Sequence, residues 1–376
     1  MTYFDNAATT PMSKASQAVM MEVMGEVFGN PSSTHAYGRA ASKILRESRE
    51  KIAQILQVQP SQILFTSGGT ESNNTAIKGY ALAHQDQGKH LITTALEHHS
   101  VSEVFEDLVE NHDFELTVLQ PENGQISAQQ VAQALRLDTI LVSTMFANNE
   151  TGYLLPIAEI GQVLAAHQAA FHVDAVQAMG KIPVLPEQLG VDFLSASAHK
   201  FHGPKGVGFL YARKNQFQKF LLGGDQEDKR RAGTENLPAI AAMAAALEEA
   251  NQHLEEHLLT VSQLKETFLK ELTVDYYLNQ EKHSLPYVIN IGFPGQANDL
   301  LLLRLDLAGF AVSTGSACTA GAIEPSHVLA SLYGADSPKL KESIRISFSS
   351  YNTPSQVTAL AHHINQLIGG SHGVSN

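Results

Sequence analysis

Two residues of the chain have the right chemistry to handle an aldehyde coenzyme. Lys200 sits in Ser197-Ala198-His199-Lys200-Phe201-His202-Gly203, just after the apolar run Val191-Asp192-Phe193-Leu194. Upstream, Asp174 in His172-Val173-Asp174-Ala175-Val176-Gln177 closes another apolar run. A lysine amine condenses with an aldehyde, and a carboxylate keeps a pyridine nitrogen protonated, so the pair describes a pyridoxal phosphate site. Singly they say little, since most lysines are surface charges and most aspartates are caps or turn formers.

Other residues extend the pattern. Thr66-Ser67-Gly68-Gly69-Thr70-Glu71-Ser72-Asn73-Asn74 follows an apolar run and precedes a helical one. Its glycines, Gly69 included, permit close backbone approach, the helix start presents unpaired N–H groups to an anion, and Thr70 adds a hydroxyl. An ordinary capped turn fits that segment equally well, but Ser197 and His199 supply further donors and favour a phosphate site. For a ring stacked on the cofactor, His98 and its neighbour His99 are both candidates. Asn149 and Gln177 are amides able to hydrogen-bond a ring hydroxyl without changing net charge.

Positioning these groups is the task of the surrounding elements. Apolar runs at 63–65, 90–94, 139–143, 170–173 and 193–195 alternate with helical stretches such as 36–56 and 157–170. That alternation predicts an α/β fold with a mostly parallel sheet covered by helices. Ligands of such sheets sit beyond the carboxyl ends of the strands. His98, Asn149, Asp174 and Lys200 each lie just past a candidate strand and should converge on one rim. A long helical pattern at 238–272 leads to candidate strands at 288–293, 311–313 and 344–348. We therefore expect a large domain over 15–255, and a smaller α+β domain from 1–14 and 256–370. The polar tail, 371–376, is expected to fray.

Composition narrows the function classes. At 376 residues two domains are the expectation. The formal net charge of −13 argues against broad binding to nucleic-acid backbones. No apolar stretch reaches membrane-spanning length, and the start, Met1-Thr2-Tyr3-Phe4-Asp5-Asn6, lacks a secretory pattern. The single cysteine precludes an internal disulfide and fits a reducing, cytoplasmic setting. This residue, Cys318, stands in Ser313-Thr314-Gly315-Ser316-Ala317-Cys318-Thr319-Ala320-Gly321, which has no apolar packing pattern and reads as a mobile loop. A thiol near its reference pKa of about 8.5 is only a few per cent thiolate at neutral pH, yet strongly nucleophilic.

In this order, the segments at 3–11, 29–33 and 66–74, Glu97-His98, Asn148-Asn149-Glu150, and those at 172–177, 197–206, 231–234 and 313–321 resemble the cysteine desulfurases of the NifS/IscS type, within the class V aminotransferases. The resemblance spans nearly the whole chain. It implies fold type I of the pyridoxal phosphate enzymes, with a seven-stranded type of sheet in the large domain. By this resemblance Lys200 binds the cofactor covalently, and Thr70, Ser197 and His199 hold the phosphate with Thr234 of the partner subunit of a homodimer. Arg345, in Ser343-Ile344-Arg345-Ile346-Ser347, matches the arginine that clamps the substrate carboxylate in two parallel hydrogen bonds, a geometry lysine cannot copy. Asn30 is a weaker candidate for assistance. Lys200 or His98 would move protons. Cys318 would take sulfur from L-cysteine as a persulfide, release L-alanine and pass the sulfur to an iron–sulfur scaffold or a tRNA-thiolating protein. It is also a candidate transient iron–sulfur ligand, with no other metal site expected. The stretch 320–343 resembles the subgroup with a long cysteine loop.

The chain departs from the family at Asp225, where a third glycine is usual, and in the charged run to Arg230. Rival readings are a selenocysteine lyase, another class V transaminase and a non-catalytic scaffold. A transaminase has no use for the Cys318 thiol.

Overall fold

The computed structural model describes residues 1–214, 216–280, 282–314 and 325–369. Cys318 and the tail at 371–376 lie outside the described residues. The main sheet has seven strands, in the order Ile63–Thr66, Gly208–Ala212, Phe193–Ser197, Ala170–Asp174, Thr139–Met145, His90–Thr94 and Glu115–Leu119. Only Gly208–Ala212 runs against the rest, antiparallel to both neighbours. Every residue from Thr139 to Met145, Ala170 to Asp174 and Phe193 to Ser197 is buried. Strands covered on both faces read as unbroken apolar runs rather than alternating ones, which is why these segments stand out in the sequence. Register aligns their ends: Asp174 lies opposite Met145 on one side and Ser195 on the other.

The helical pattern at 238–272 is two helices, Leu237–Gln252 and Leu254–Glu271, meeting at His253. The break has a packing cause. Leu237 and Ala241 of the first helix pack with Val23 and Ala41, of helices Lys14–Glu26 and Ala36–Leu56. Val261, Leu264 and Phe268 of the second join another apolar cluster, with Phe4, Ile289, Ile291, Ile344, Ile346 and Leu360. One straight helix could not aim its apolar face at both. This other cluster is built on a three-stranded sheet, Ser343–Ser347, Val288–Gly292 and Tyr277–Leu278, antiparallel throughout. The N-terminal segment reaches it, with Thr2 and Tyr3 pairing in parallel with Phe310 and Ala311. Among the described residues no helix is long and apolar enough to cross a membrane.

The departing segment after Gly224 carries a conformational load. Glu227, Asp228 and Lys229 are all left-handed, with φ of 50°, 54° and 65°, a conformation that costs residues with a Cβ of order 1–3 kcal/mol each. The Glu227 carboxylate holds the turn. It accepts from Arg49 Nη1 at 2.8 Å, Arg49 Nη2 at 2.6 Å and the Phe65 backbone N–H at 2.9 Å. Its side chain is 1% exposed, so removing the guanidinium strands a buried charge. Arg49→Met should therefore lower stability by about 3 kcal/mol, read as a lower midpoint of urea unfolding. An unchanged midpoint would show that the pair does not secure the turn.

Candidate active site

A cavity of about 720 Å³ opens at the carboxyl ends of the strands. At one end strand Ile63–Thr66 passes through Ser67 and Gly68 into helix Gly69–Ala83. Gly68 is at φ 149°, ψ −170°, a region open to glycine alone. A Cβ on Gly69 would lie 2.7 Å from Val176 Cγ2, so the missing side chain is what lets this turn sit against the loop after Asp174. No side chain caps the helix, and its free N–H groups and dipole favour an anion there. Gly69, Thr70, Ser197 and His199 line this end, as does Lys205. Burial, with Lys200 and Lys205 adding, takes His199 down to about 4, so it is neutral at pH 7. Its Nδ1 is paired with Thr9 Oγ1 at 3.1 Å.

Deeper in the cavity, Asp174 ends its strand with both oxygens engaged. Oδ1 accepts from the Val176 N–H at 3.0 Å and Oδ2 from Asn73 Nδ2 at 2.9 Å. Asn73 Nδ2 also donates to Ser100 Oγ at 2.9 Å, and Ser100 reaches His98. His98 Nδ1 accepts from the Ser100 N–H at 3.1 Å and pairs with its Oγ at 2.9 Å. Because a backbone N–H can only donate, the neutral His98 ring carries its proton on Nε2. Burial holds the His98 pKa below its usual value, against the pull of Asp174. Both candidate histidines line the cavity, but their neighbours separate them. His98 senses Asp174 and Lys200, whereas the His99 ring packs 4.9 Å from that of His327.

The Asn148-Asn149 pair serves both a turn and the cavity. Asn148 is the turn former, its Oδ1 accepting from the Glu150 and Thr151 N–H groups at 3.0 and 2.9 Å. That leaves Asn149 on the cavity wall. Lys200 lies in the turn Ala198–Lys200, directly after its strand. Its Nζ donates to the carbonyls of Ala7 and Ala8 at 2.7 and 2.6 Å. Burial, then Arg345, lower it to about 8, with Asp5 and Asp174 opposing. Gln177 Nε2 donates to the same Ala7 carbonyl at 2.9 Å. Arg345, buried in its strand, donates from Nη2 to Asp5 Oδ1 at 2.8 Å and from Nη1 to the Asn149 carbonyl at 2.9 Å.

Two expected residues are not brought here. Asn30 is exposed, its Oδ1 closing a turn onto the Ser32 N–H at 2.9 Å. Thr234 lines a separate cavity of about 110 Å³ with Phe65, Ser67, Glu227 and Arg231. Cys318 lies outside the described residues, but both flanks of its segment are tied to the cavity. Ser313 pairs with Arg345 through both backbone groups, at 3.1 and 2.6 Å. On the far side Ser326 bonds the Glu150 carboxylate through Oγ, and His327 Nε2 meets the Glu97 carbonyl at 2.8 Å.

Sequence reasoning missed Asp5, Asn73, Ser100, Lys205 and His327. Asn73 and Lys205 stand inside motifs that drew attention for other residues, whereas Asp5 gives no local sign that it will meet Arg345. The residues present fit pyridoxal phosphate: a glycine cradle at an uncapped helix start, a carboxylate fixed by donors, an imidazole, two amides and a lysine of depressed pKa share one cavity.

Comparison with known proteins gives a concordant picture. The family model described as aminotransferase class-V matches residues 2–360. A cysteine desulfurase IscS of Dictyoglomus turgidum is 46% identical over 336 residues, covering 88% of this chain and 85% of the relative. A solved structure of a NifS-like protein superposes with a TM-score of 0.91 at 34% identity, covering 98% of this chain and 99% of that one. Another, SspA in complex with cysteine, gives 0.83 at 34% identity, over 94% and 100% of the two chains.

The depressed pKa of Lys200 has a measurable sign. The neutral amine is the form that attacks aldehydes, and its population rises through about pH 8 rather than 10.5. Borohydride trapping of a simple aldehyde on Lys200 of the cofactor-free protein should follow that curve, read by peptide mass spectrometry. A midpoint above 10 would mean that the site does not desolvate the amine.

Proposed function

The chain belongs to the class-V aminotransferase family, and from that membership we propose that it is a pyridoxal phosphate-dependent cysteine desulfurase that moves sulfur from L-cysteine to Cys318 and releases L-alanine. The observation that carries this reading is the shared cavity of Lys200 and Asp174, floored by an uncapped helix N-terminus. Bound pyridoxal phosphate supplies an electron sink for the α-carbon of the substrate.

The remaining work falls to the chain. The start of helix Gly69–Ala83, with Thr70, Ser197 and His199, would hold the phosphate. Asp174, fixed by Val176 and Asn73, would keep the pyridine nitrogen protonated. His98 would hold the ring by its face, and Asn149 and Gln177 would offer hydrogen bonds to its hydroxyl. Arg345, aimed by Asp5, receives the substrate carboxylate. Lys200 Nζ carries the proton leaving the α-carbon, a task suited to an amine whose pKa lies near the working pH. The Cys318 thiolate attacks the substrate sulfur. An S–S bond forms as the C–S bond breaks, and the electron pair left on the carbon side is protonated to give L-alanine. A transaminase reading has less support, because the thiol-bearing segment is tied at both flanks to this cavity; sulfide release from cysteine against selenide release from selenocysteine separates the lyase reading.

Thr234 is absent from the wall of the cavity that holds Lys200, and Met21, Met24 and Phe28 are exposed, which supports a homodimer in which Thr234 completes the partner's phosphate site. We read the apolar clusters as a large domain over 15–255 and a small one from 1–14 and 256–370. A cytoplasmic protein of iron–sulfur assembly or tRNA thiolation is the sulfur acceptor. Cys318→Ser should leave the visible band of the bound cofactor intact while abolishing sulfide release. Lys200→Ala should lose borohydride-fixable cofactor. Sulfide release at the parental rate from Cys318→Ser would remove the thiol from the reaction.

A further inference from the structure

Behind Lys200 lies a second buried lysine that the chemistry above does not use. Lys181 is 7% exposed, and its Nζ donates to Gln177 Oε1 at 2.9 Å. Gln177 Nε2 donates to the Ala7 carbonyl, which also receives Lys200 Nζ. Lys181, Gln177, Ala7 and Lys200 thus form one chain of hydrogen bonds. Gly180 delivers Lys181 into it through a left-handed turn at φ 72°, where a Cβ would come within 2.8 Å of Phe201 Cβ. Burying an ammonium against a neutral amide is costly. Around it stand Lys200 and Arg345 on the cavity wall, His199 and His202 beyond the adjacent strand, and the Tyr287 ring at 5.8 Å. Burial, followed by Lys200 and Arg345, depresses Lys181 to about 7.

The two ends of this chain fix the amide between them. An ammonium only donates and a backbone carbonyl only accepts, so Gln177 must turn Oε1 to Lys181 and Nε2 to Ala7. A neutral amine still donates, so the orientation survives deprotonation. The second Nε2 hydrogen is then left for the cavity, which Gln177 lines. We propose that Lys181 is a positioning residue, which pins Gln177 so that an N–H rather than a carbonyl oxygen meets the ring oxygen of bound pyridoxal phosphate and favours its anionic form. This rests on the reading that the cavity holds that cofactor.

The test compares the parent, Lys181→Met, Gln177→Leu and the double variant, each loaded with pyridoxal phosphate. The readout is the pH midpoint of the bound cofactor's visible absorption. Lys181→Met should raise this midpoint by about one pH unit, the scale of one hydrogen bond to a charged group. Gln177→Leu should raise it similarly, and the double variant no further than Gln177→Leu alone. An unmoved midpoint in Lys181→Met overturns the proposal. Additive shifts do so too, because they would mean that the lysine charge acts directly. Cofactor-free Lys181→Met should melt no lower than the parent, since a buried charge has gone; lower melting with an unmoved midpoint marks a purely structural lysine. If Lys181→Met fails to fold, Lys181→Arg keeps a donor and must hold the parental midpoint, and a shifted one overturns the idea. Absence of a visible band in every protein, the parent included, would instead sink the cofactor reading.

Discussion

Positive charge withheld from water is the constraint on which this site depends. Lys200 and Arg345 share one wall with Lys181 behind it; burial and then Arg345 lower Lys200, and burial, Lys200 and Arg345 lower Lys181. The wall holds because it is faced by acceptors: the Ala7 and Ala8 carbonyls, Gln177 Oε1, Asp5 and the Asn149 carbonyl. Desolvation that would be a defect elsewhere here sets Lys200 to about 8, close to where an amine both takes and returns a proton. Asp5 and Asp174 limit the depression, so the cluster is balanced rather than simply buried.

Glu71 shows the same logic at the opposite end. Its carboxylate accepts from the Ser67 N–H at 2.7 Å and from Arg231 at 2.8 and 3.2 Å, and these bonds outweigh burial to keep its pKa below the usual range. Arg231 thereby ties the turn before helix Gly69–Ala83 to the segment that carries Thr234. Glu227 and Arg49 brace that segment from the other side. The charged run after Gly224, out of keeping with the family pattern, is held by these ion pairs.

Much of this was legible in the sequence because buried parallel strands leave unbroken apolar runs, and the residues just past them mark the rim. Asp174, His98 and Lys200 were found that way. Composition did not separate His98 from His99; what sets His98 apart is its link through Ser100 and Asn73 to Asp174, whose last step joins residues 101 positions apart. Asp5 and Lys181 were invisible for a similar reason, since their partners lie far off in sequence or look like ordinary amides. The split at His253 was hidden because Ala and Leu favour helix on either side, and only the separation of two cores forces the turn.

The Ala7 and Ala8 carbonyls that receive Lys200 belong to a segment whose own backbone partners are Gly309, Ala311 and Ser347. Those pairings reach across most of the sequence, and contacts of such long range are slow to form because the loop between them must close first. The seven-stranded sheet needs none of them, but the lysine's setting does. The surroundings of the lysine are accordingly a late product of folding, closed only when distant segments have met.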